Sequence, residues 1–310
     1  MIDLTLVITC FNNQQKLAKT LKSIESYDGN DVEIIVVDDG SSTIPSFSFH
    51  NLNIKLNLYR IEHRGPIYAR IFGASKARGV YVYFIDSGDE IEITRLQAFC
   101  QKVVNDYFDV YLVNTLKKHD GESELNFSQL NENEISKEEM LIKIFSGPGG
   151  LTSSLVSKKR LFSRVFEEYG TYPRLIFNED QFLSCKLVEQ AKTFFQIDDY
   201  IYIYYVEDDS LSTSLWTCEK IDSYIYVYNF KKSFSDKEGG FLSDFLAKNE
   251  LAGLSRNLHF AVDEKERLYF ISQIKQNSIR EVFKLKNIFL SKAKIKHKAY
   301  ALYTKLRYKI

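Results

Sequence analysis

Three groups of acidic residues in this 310-residue chain stand where they could do chemistry. Asp38-Asp39 closes an apolar run and precedes Gly40-Ser41-Ser42. Asp86-Ser87-Gly88-Asp89-Glu90 closes another, and Glu179-Asp180 opens a stretch of helical periodicity. A carboxylate can accept the imide N–H of a uracil ring, on which an aromatic such as Phe11 can stack. Acids placed directly after a buried strand suit a divalent cation bridging a diphosphate, because Mg²⁺ and Mn²⁺ prefer oxygen ligands. A carboxylate facing an attacking hydroxyl can take its proton as general base. Each group also has a plain structural reading. Asp38 and Asp39 could cap a helix or hold a turn. Asp86 to Glu90 could be an acidic turn, and Glu179-Asp180 could favour a helix N-terminus electrostatically.

The elements that must position these residues are legible. Leu4–Thr9, Val32–Val37 and Val80–Ile85 are continuous apolar runs, read as buried strands, and Ile54–Ile61 alternates like a third strand between them. Asn12 or Asn13 can cap a helix carrying Leu17, Leu21 and Ile24. Pro66 can open a helix to about Ala77, and Thr94 can cap one carrying Leu96, Phe99 and Val103. Phe108–Val113 is a further strand, 114–134 reads as loop, and Ser136 to Glu139 fits a capping box for a helix reaching Phe145. Tyr200–Val206 is a last strand, and after about Ser214 the pattern turns helical. Alternating strands and helices imply an α/β fold with a mostly parallel sheet covered on both faces. Ligands bind such sheets at strand carboxyl ends, where Thr9–Asn13, Asp38–Ser42 and Asp86–Glu90 all fall.

Four motifs in this order resemble the family 2 glycosyltransferases, which have the GT-A fold. They are Thr9-Cys10-Phe11-Asn12, Val36-Val-Asp-Asp-Gly-Ser41, the Gly65-x-x-x-Ala69-Arg70-x-x-Gly73 helix and Ala77-x-Gly79-x-Tyr81-x-x-Phe84-x-Asp86-Ser87-Gly88-Asp89. The resemblance is strong over about 3–95 and weaker to about 215. It implies a Rossmann-like GT-A domain over 1–215, with nucleotide-sugar binding in about 1–115 and the acceptor side in about 116–215. Residues 216–310 would form a helical C-terminal region. It also implies a UDP-sugar donor, with Thr9, Phe11 and Asp39 holding the uracil and Arg70 near the uracil and ribose-phosphate. Arg70 could instead be a surface helix residue paired with Glu62. Asp86 and Ser87 would meet the donor, and Mn²⁺ or Mg²⁺ would be held by Asp86 or Asp89. The chain departs from the family's D-x-D here, since Gly88 stands at the usual metal aspartate. Asp180 matches the family's general base, with Glu179 beside it. Tyr204-Tyr205-Val206 resembles a Y-Y-R segment whose arginine is lost, and Ser146–Gly150 lies where an acceptor loop would be. Trp216 could stack on a sugar or fill a core.

Composition narrows the class. With 45% hydrophobic and 26% charged residues the chain can build a large core. The 41 basic and 41 acidic residues cancel, but not locally. Residues 280–310 hold ten Lys/Arg and one acid, Glu281, leaving 31 basic and 40 acidic residues elsewhere. Aliphatic and aromatic residues interleave with the basic ones, so 280–310 reads as an amphipathic helix. It suits an anionic membrane surface, packing on the body, or a homodimer contact with an acidic domain. Nucleic acid is disfavoured by the acidic body. No apolar run reaches membrane-spanning length, and Met1-Ile2-Asp3-Leu4 enters strand sequence without a signal peptide's basic region. Four scattered cysteines read as reduced thiols, which fits a cytoplasmic protein, peripheral on the inner face of the membrane. The five histidines form no triad, though His63 precedes Gly65 where relatives often have Asn. Walker and G-x-G-x-x-G motifs are absent. The expected activity is inverting transfer of a sugar to a lipid-linked glycan in bacterial capsule, lipopolysaccharide or exopolysaccharide synthesis. The alternatives are a non-catalytic nucleotide-sugar-binding or scaffold protein with a degenerate metal site, and a nucleotidyltransferase, which would need a phosphate loop that Thr9 to Gln14 does not supply.

Overall fold

The computed structural model describes residues 3–46, 54–103, 108–127, 130–146, 151–206 and 215–238, then 242–243, 245–247, 249–251, 254, 264–284, 287–288, 291 and 295–310. The proposed loop at 147–150 and the serines after Tyr205 lie outside these. The described residues fall into two units. One takes 1–140, 147–174 and 183–207, and the other takes 141–146, 175–182 and 208–310.

The first unit is built on strands β1 (Leu4–Cys10), β2 (Val32–Asp38), β3 (Lys55–Arg60) and β4 (Tyr81–Asp86). They pair in parallel in the order β3-β2-β1-β4. Helices α1 (Gln14–Ile24) and α2 (Pro66–Lys76) connect them. The Asn13 side chain caps α1 by accepting from the Lys16 N–H at 3.1 Å, and Pro66 fills the first turn of α2. Alternation divides the apolar residues between the two faces. Leu4, Leu6 and Ile8 bury with Leu17, Leu21 and Ile24 of α1, whereas Val7 and Val37 meet α2 at Gly73. Each fully buried side chain of this size is worth about 1.5–3 kcal/mol, and a one-residue slip would turn the whole set to the wrong face. That fixes the register.

Beyond β4 the sheet is mixed rather than mostly parallel. The ribbon β5 (Glu90–Ile91) leads to α3 (Ile93–Val103), which begins one residue before Thr94; Glu92, not Thr94, accepts a first-turn N–H. The expected loop at 114–134 holds structure instead. Strand β6 (Val110–His119) turns at Asp120-Gly121 into β7 (Glu122–Leu125), and β8 (Asn133–Ile135) pairs with a later strand. Helix α4 (Lys137–Ser146) opens on the expected capping box, with the Ser136 Oγ and Glu139 N–H 3.1 Å apart. Strand β9 (Leu155–Lys158) is antiparallel to both β4 and β6, and α5 (Phe162–Glu168) follows. After α6 (Glu179–Gln190), strand β10 (Phe194–Tyr205) runs parallel to β6 and antiparallel to β5 and β8, starting six residues before the expected Tyr200. Two register shifts, between Ile197 and Tyr202, re-aim its tyrosines.

The second unit centres on α7 (Cys218–Glu238) and α8 (Glu264–Gln276). Trp216 is core here: it is 3% exposed and stacks on Phe270 at 5.3 Å. The basic tail is not one helix among the described residues. Ser278–Phe283 is a 3-10 turn, and α9 (Ile295–Tyr308) comes later. Val282, Phe283, Ile288 and Ala301 are buried. Leu306 remains 71% exposed.

One buried charge ties the sheet together at the end away from the strand carboxyl termini. Glu33 accepts from the Thr5 hydroxyl at 2.8 Å, the Arg78 backbone N–H at 2.6 Å and the Arg78 guanidinium at 2.9 Å. Burial opposes its ionisation. The Arg78 N–H, the Thr5 hydroxyl and the Arg78 charge more than offset that, and they hold the carboxyl below its ordinary range. The charged form therefore stabilises the fold at neutral pH, and its contribution is lost as pH falls through the lowered folded-state value. Glu33→Gln is expected to cost about 1–3 kcal/mol in urea unfolding at neutral pH. The gap from the parent should narrow from about pH 5 to about pH 3.

Candidate active site

The parallel register brings three strand ends to one rim. Thr9 lies opposite Val37 on one side and Asp86 on the other. The Asp39 N–H donates to the Cys10 carbonyl at 2.9 Å, and the Ser87 N–H to the Thr9 carbonyl at 3.3 Å. Thr9, Phe11, Asp39, Arg70, Asp86, Ser87 and Asp89 all belong to this unit. Glu179 and Asp180 belong to the other, where they form the half-buried first turn of α6.

The two turns at the rim lock each other. Asn12, in a left-handed conformation at φ 52°, donates its N–H to the Ser41 Oγ at 2.8 Å, and its side chain accepts the Ser42 N–H at 2.8 Å. Asp38 is fully buried, accepts from the Ser41 N–H at 3.1 Å and pairs with Arg60 at 3.5 Å. Gly40 has φ 78°, and a Cβ there would sit 2.7 Å from the His63 backbone nitrogen. Only glycine fits that close approach. Asp39 is 4% exposed, and its two oxygens accept the N–H groups of Arg64 at 2.8 Å and Gly65 at 2.9 Å. The turn-holding reading of Asp39 is therefore realised, and its target is the start of α2. Phe11 is 44% exposed and stacks on His63 with centroids 4.1 Å apart. Asp39 at 2.9 Å and Arg174 at 2.9 Å hold the two His63 nitrogens.

Arg70 is not a surface residue paired with Glu62. Its side chain is 4% exposed, and its guanidinium donates to Asp86 Oδ1 at 2.8 Å. An arginine stays charged in this setting, so a fixed cation lies just behind the rim. The Asp86 side chain is 44% exposed and open to a ligand. Asp89 is its opposite. It is 6% exposed and accepts from the Tyr202 hydroxyl at 2.5 Å and the Tyr205 N–H at 2.9 Å, one on each oxygen. Burial drives its pKa up to about 7 despite those two hydrogen bonds, which lower it. Tyr202 also accepts the Asp86 N–H at 3.2 Å, so one phenol braces both acids. Gly88, between them, has φ 110°, where a side chain would be strained. Lys19 donates to its carbonyl at 3.0 Å and lies 3.3 Å over the Tyr205 ring.

Sequence reasoning missed Tyr202, Lys19 and Arg174 as members of this site. The clustering of tyrosines at 200, 202, 204 and 205 was the available signal for the first. Among the described residues no group of three or more His, Cys, Asp or Glu side chains could hold a metal ion by itself. Asp86 still fits one in the manner typical of Mg²⁺, which is often bound by one carboxylate together with substrate phosphates.

Comparison with known proteins agrees with this geometry. The family model described as glycosyl transferase family 2 matches residues 5–166, more than half of the chain. The GalNAc(5)-diNAcBac-PP-undecaprenol beta-1,3-glucosyltransferase of Campylobacter jejuni is 31% identical over 206 residues, covering 63% of this chain and 66% of that protein. Glycosyltransferase GlyA of Streptococcus pneumoniae is 25% identical over 227 residues, covering 69% of this chain but only 32% of its own length. This chain thus matches just under two thirds of the first relative and about a third of the second. Residues 1–349 of TarS from S. aureus, crystallised with UDP-GlcNAc, superimpose with a TM-score of 0.70 at 17% identity, over 99% of this chain and 89% of that one. That likeness establishes the GT-A fold. From motifs, rim and family match together, the chain belongs to the family 2 glycosyltransferases.

Proposed function

We propose that this protein transfers a sugar, with inversion, from a UDP-sugar to a hydroxyl of a lipid-linked glycan in bacterial surface polysaccharide synthesis. The observation that carries this reading is the rim where β1, β2 and β4 end together, with Thr9 in register with Asp86 and the Asp39 N–H bonded to the Cys10 carbonyl. Two comparisons support the substrates. The TarS structure is a complex with UDP-GlcNAc, and the Campylobacter relative is named for an undecaprenol-linked glycan.

In this reading Phe11 offers a ring for the uracil and Thr9 its polar edge, while Asp39, whose two oxygens accept the Arg64 and Gly65 N–H groups, holds the start of α2 beside them. Arg70 faces the charge that grows on the leaving diphosphate, and its buried position makes it preorganised. Ser87 closes the same edge beside Asp86. Asp86 is the residue that would hold Mn²⁺ or Mg²⁺, which when bound offsets negative charge on the leaving group. Asp89 is assigned to the scaffold, since both its oxygens are engaged inside the protein. Asp180, with Glu179 beside it, takes the proton from the acceptor hydroxyl as that oxygen attacks the anomeric carbon.

UDP titration by calorimetry tests the donor half: binding is expected, and Mn²⁺ should tighten it in the parent but not in Asp86→Asn. No binding with or without the metal would overturn the reading. Asp180→Asn tests the chemical half. It should lower kcat by about 10²–10⁴-fold and leave UDP affinity intact. A protein that binds UDP but turns over no UDP-sugar, in either form, would be the non-catalytic alternative.

The described residues contain no helix long and apolar enough to cross a membrane. We further propose that the basic segment 280–310 reaches an anionic bilayer through its exposed cations, including Arg307 and Lys309. Reversing the charges of Lys292, Lys294, Lys296 and Lys298 is expected to abolish co-sedimentation with phosphatidylglycerol vesicles without changing UDP binding. If the intact protein never sediments with vesicles, the segment serves packing or a homodimer, and sedimentation velocity separates these two.

A further inference from the structure

A buried lysine lies in the second unit, one hydrogen bond away from the residue after Asp180. Lys231 of α7 is 1% exposed, yet it carries an ammonium group. Such a charge is costly to bury unless it is paired and hydrogen-bonded. Its Nζ donates to a Glu250 oxygen and to the side-chain carbonyl of Gln181 at 2.8 Å. The other Glu250 oxygen accepts from the Tyr224 hydroxyl at 2.8 Å. The ring of Phe145 lies 5.8 Å from the ammonium.

An ion pair of this kind is on average no more stabilising than apolar residues of the same volume. What this one adds is direction, because the ammonium is also bound to Gln181, the residue after Asp180. The segment Leu175–Phe182 is held along its length by α7 and its flanks. The Ile176 N–H donates to the Ser223 Oγ at 3.2 Å. Phe177 packs on Trp216 at 4.9 Å, and Phe182 on Phe230 at 4.7 Å. Between them Asn178 turns the chain sharply at φ 57°, and its carbonyl accepts the Phe182 N–H at 3.2 Å. The two aromatic anchors fix where the first turn of α6 sits. The polar tie at Gln181 adds a third fixed point in that turn, on the residue next to Asp180.

We propose that Lys231, held by Glu250, is a positioning residue that orients Asp180 through Gln181. The proposal rests on the reading of Asp180 as general base. Lys231→Met would leave Glu250 buried without its cation and is expected to unfold the unit, so the informative variant is Gln181→Leu, which keeps the ion pair. Gln181→Leu should lower kcat about 10–100-fold while the donor KM and the UDP affinity stay within about twofold. Gln181→Glu, which restores an acceptor for Lys231, should recover most of the loss. In an Asp180→Asn background Gln181→Leu should cause no further loss, because it acts through the missing base. A Gln181→Leu enzyme with full kcat, beside an inactive Asp180→Asn, would overturn this inference and leave the base assignment standing. An equal loss in both backgrounds would overturn it as well. An Asp180→Asn enzyme with parental turnover would remove the base assignment, and the inference with it.

Discussion

The parallel pairing of β1 with β2 on one side and β4 on the other is the constraint on which the remainder of the site depends. Parallel neighbours end at the same edge, so three polar turns have no alternative but to share it. Once there, they satisfy one another's backbone groups. Asn12 donates to the Ser41 hydroxyl and accepts the Ser42 N–H across the β1 and β2 turns, and Asp39 reaches over to organise the start of α2. That start delivers Arg70 to Asp86 from behind. A buried guanidinium needs a carboxylate, and the nearest strand end supplies it. The whole arrangement follows from the apolar faces of three short strands, which fix the register that the polar residues exploit.

The same edge separates two acids that sequence spacing alone makes look equivalent. Asp86 and Asp89 are three positions apart, but β10 treats them differently. Its two register shifts bring Tyr202 and Tyr205 against Asp89, and the phenol of Tyr202 also takes the Asp86 N–H. Desolvation of Asp89 is strong enough to hold its carboxyl near neutrality on the pH scale. The left-handed Gly88 between the two acids is the turn that sends them in opposite directions. Of the two acids, Asp86 is the one whose side chain is exposed, and Asp89 is enclosed by the protein.

Local signals describe the first half of the sheet well and the second half poorly. Continuous runs such as Val32–Val37, the Asn13 cap, Pro66 and the Ser136–Glu139 box act within a few residues, and each is visible without partners. Strand β9 is four residues long and is stabilised by pairing with chain some 40 to 75 positions earlier, so it has no local signature. The β6–β7 hairpin was hidden in the same way by polar, exposed residues. At the site, Asp39 and Asp86 were legible because they end apolar runs. The opposing fates of Asp86 and Asp89 were not, because Tyr202 lies more than a hundred positions away. The apolar spacing of 280–310 fits a single helix, but among the described residues it forms a 3-10 turn and a separate later helix, with Val282, Phe283, Ile288 and Ala301 buried.

The stack of Phe11 on His63 has a thermodynamic consequence for the resting protein. An aromatic pair of this geometry is worth about 0.5–1.5 kcal/mol beyond its buried area, and here it exists before any nucleotide arrives. A base that takes the face covered by His63 swaps one ring contact for another rather than adding a new one, so the enthalpy of capture is a difference and not a sum. Asp39 and Arg174 hold the two nitrogens of His63, so the ring is fixed against Phe11 from both of its polar edges. Built this way, the face proposed for the uracil is already covered in the resting protein.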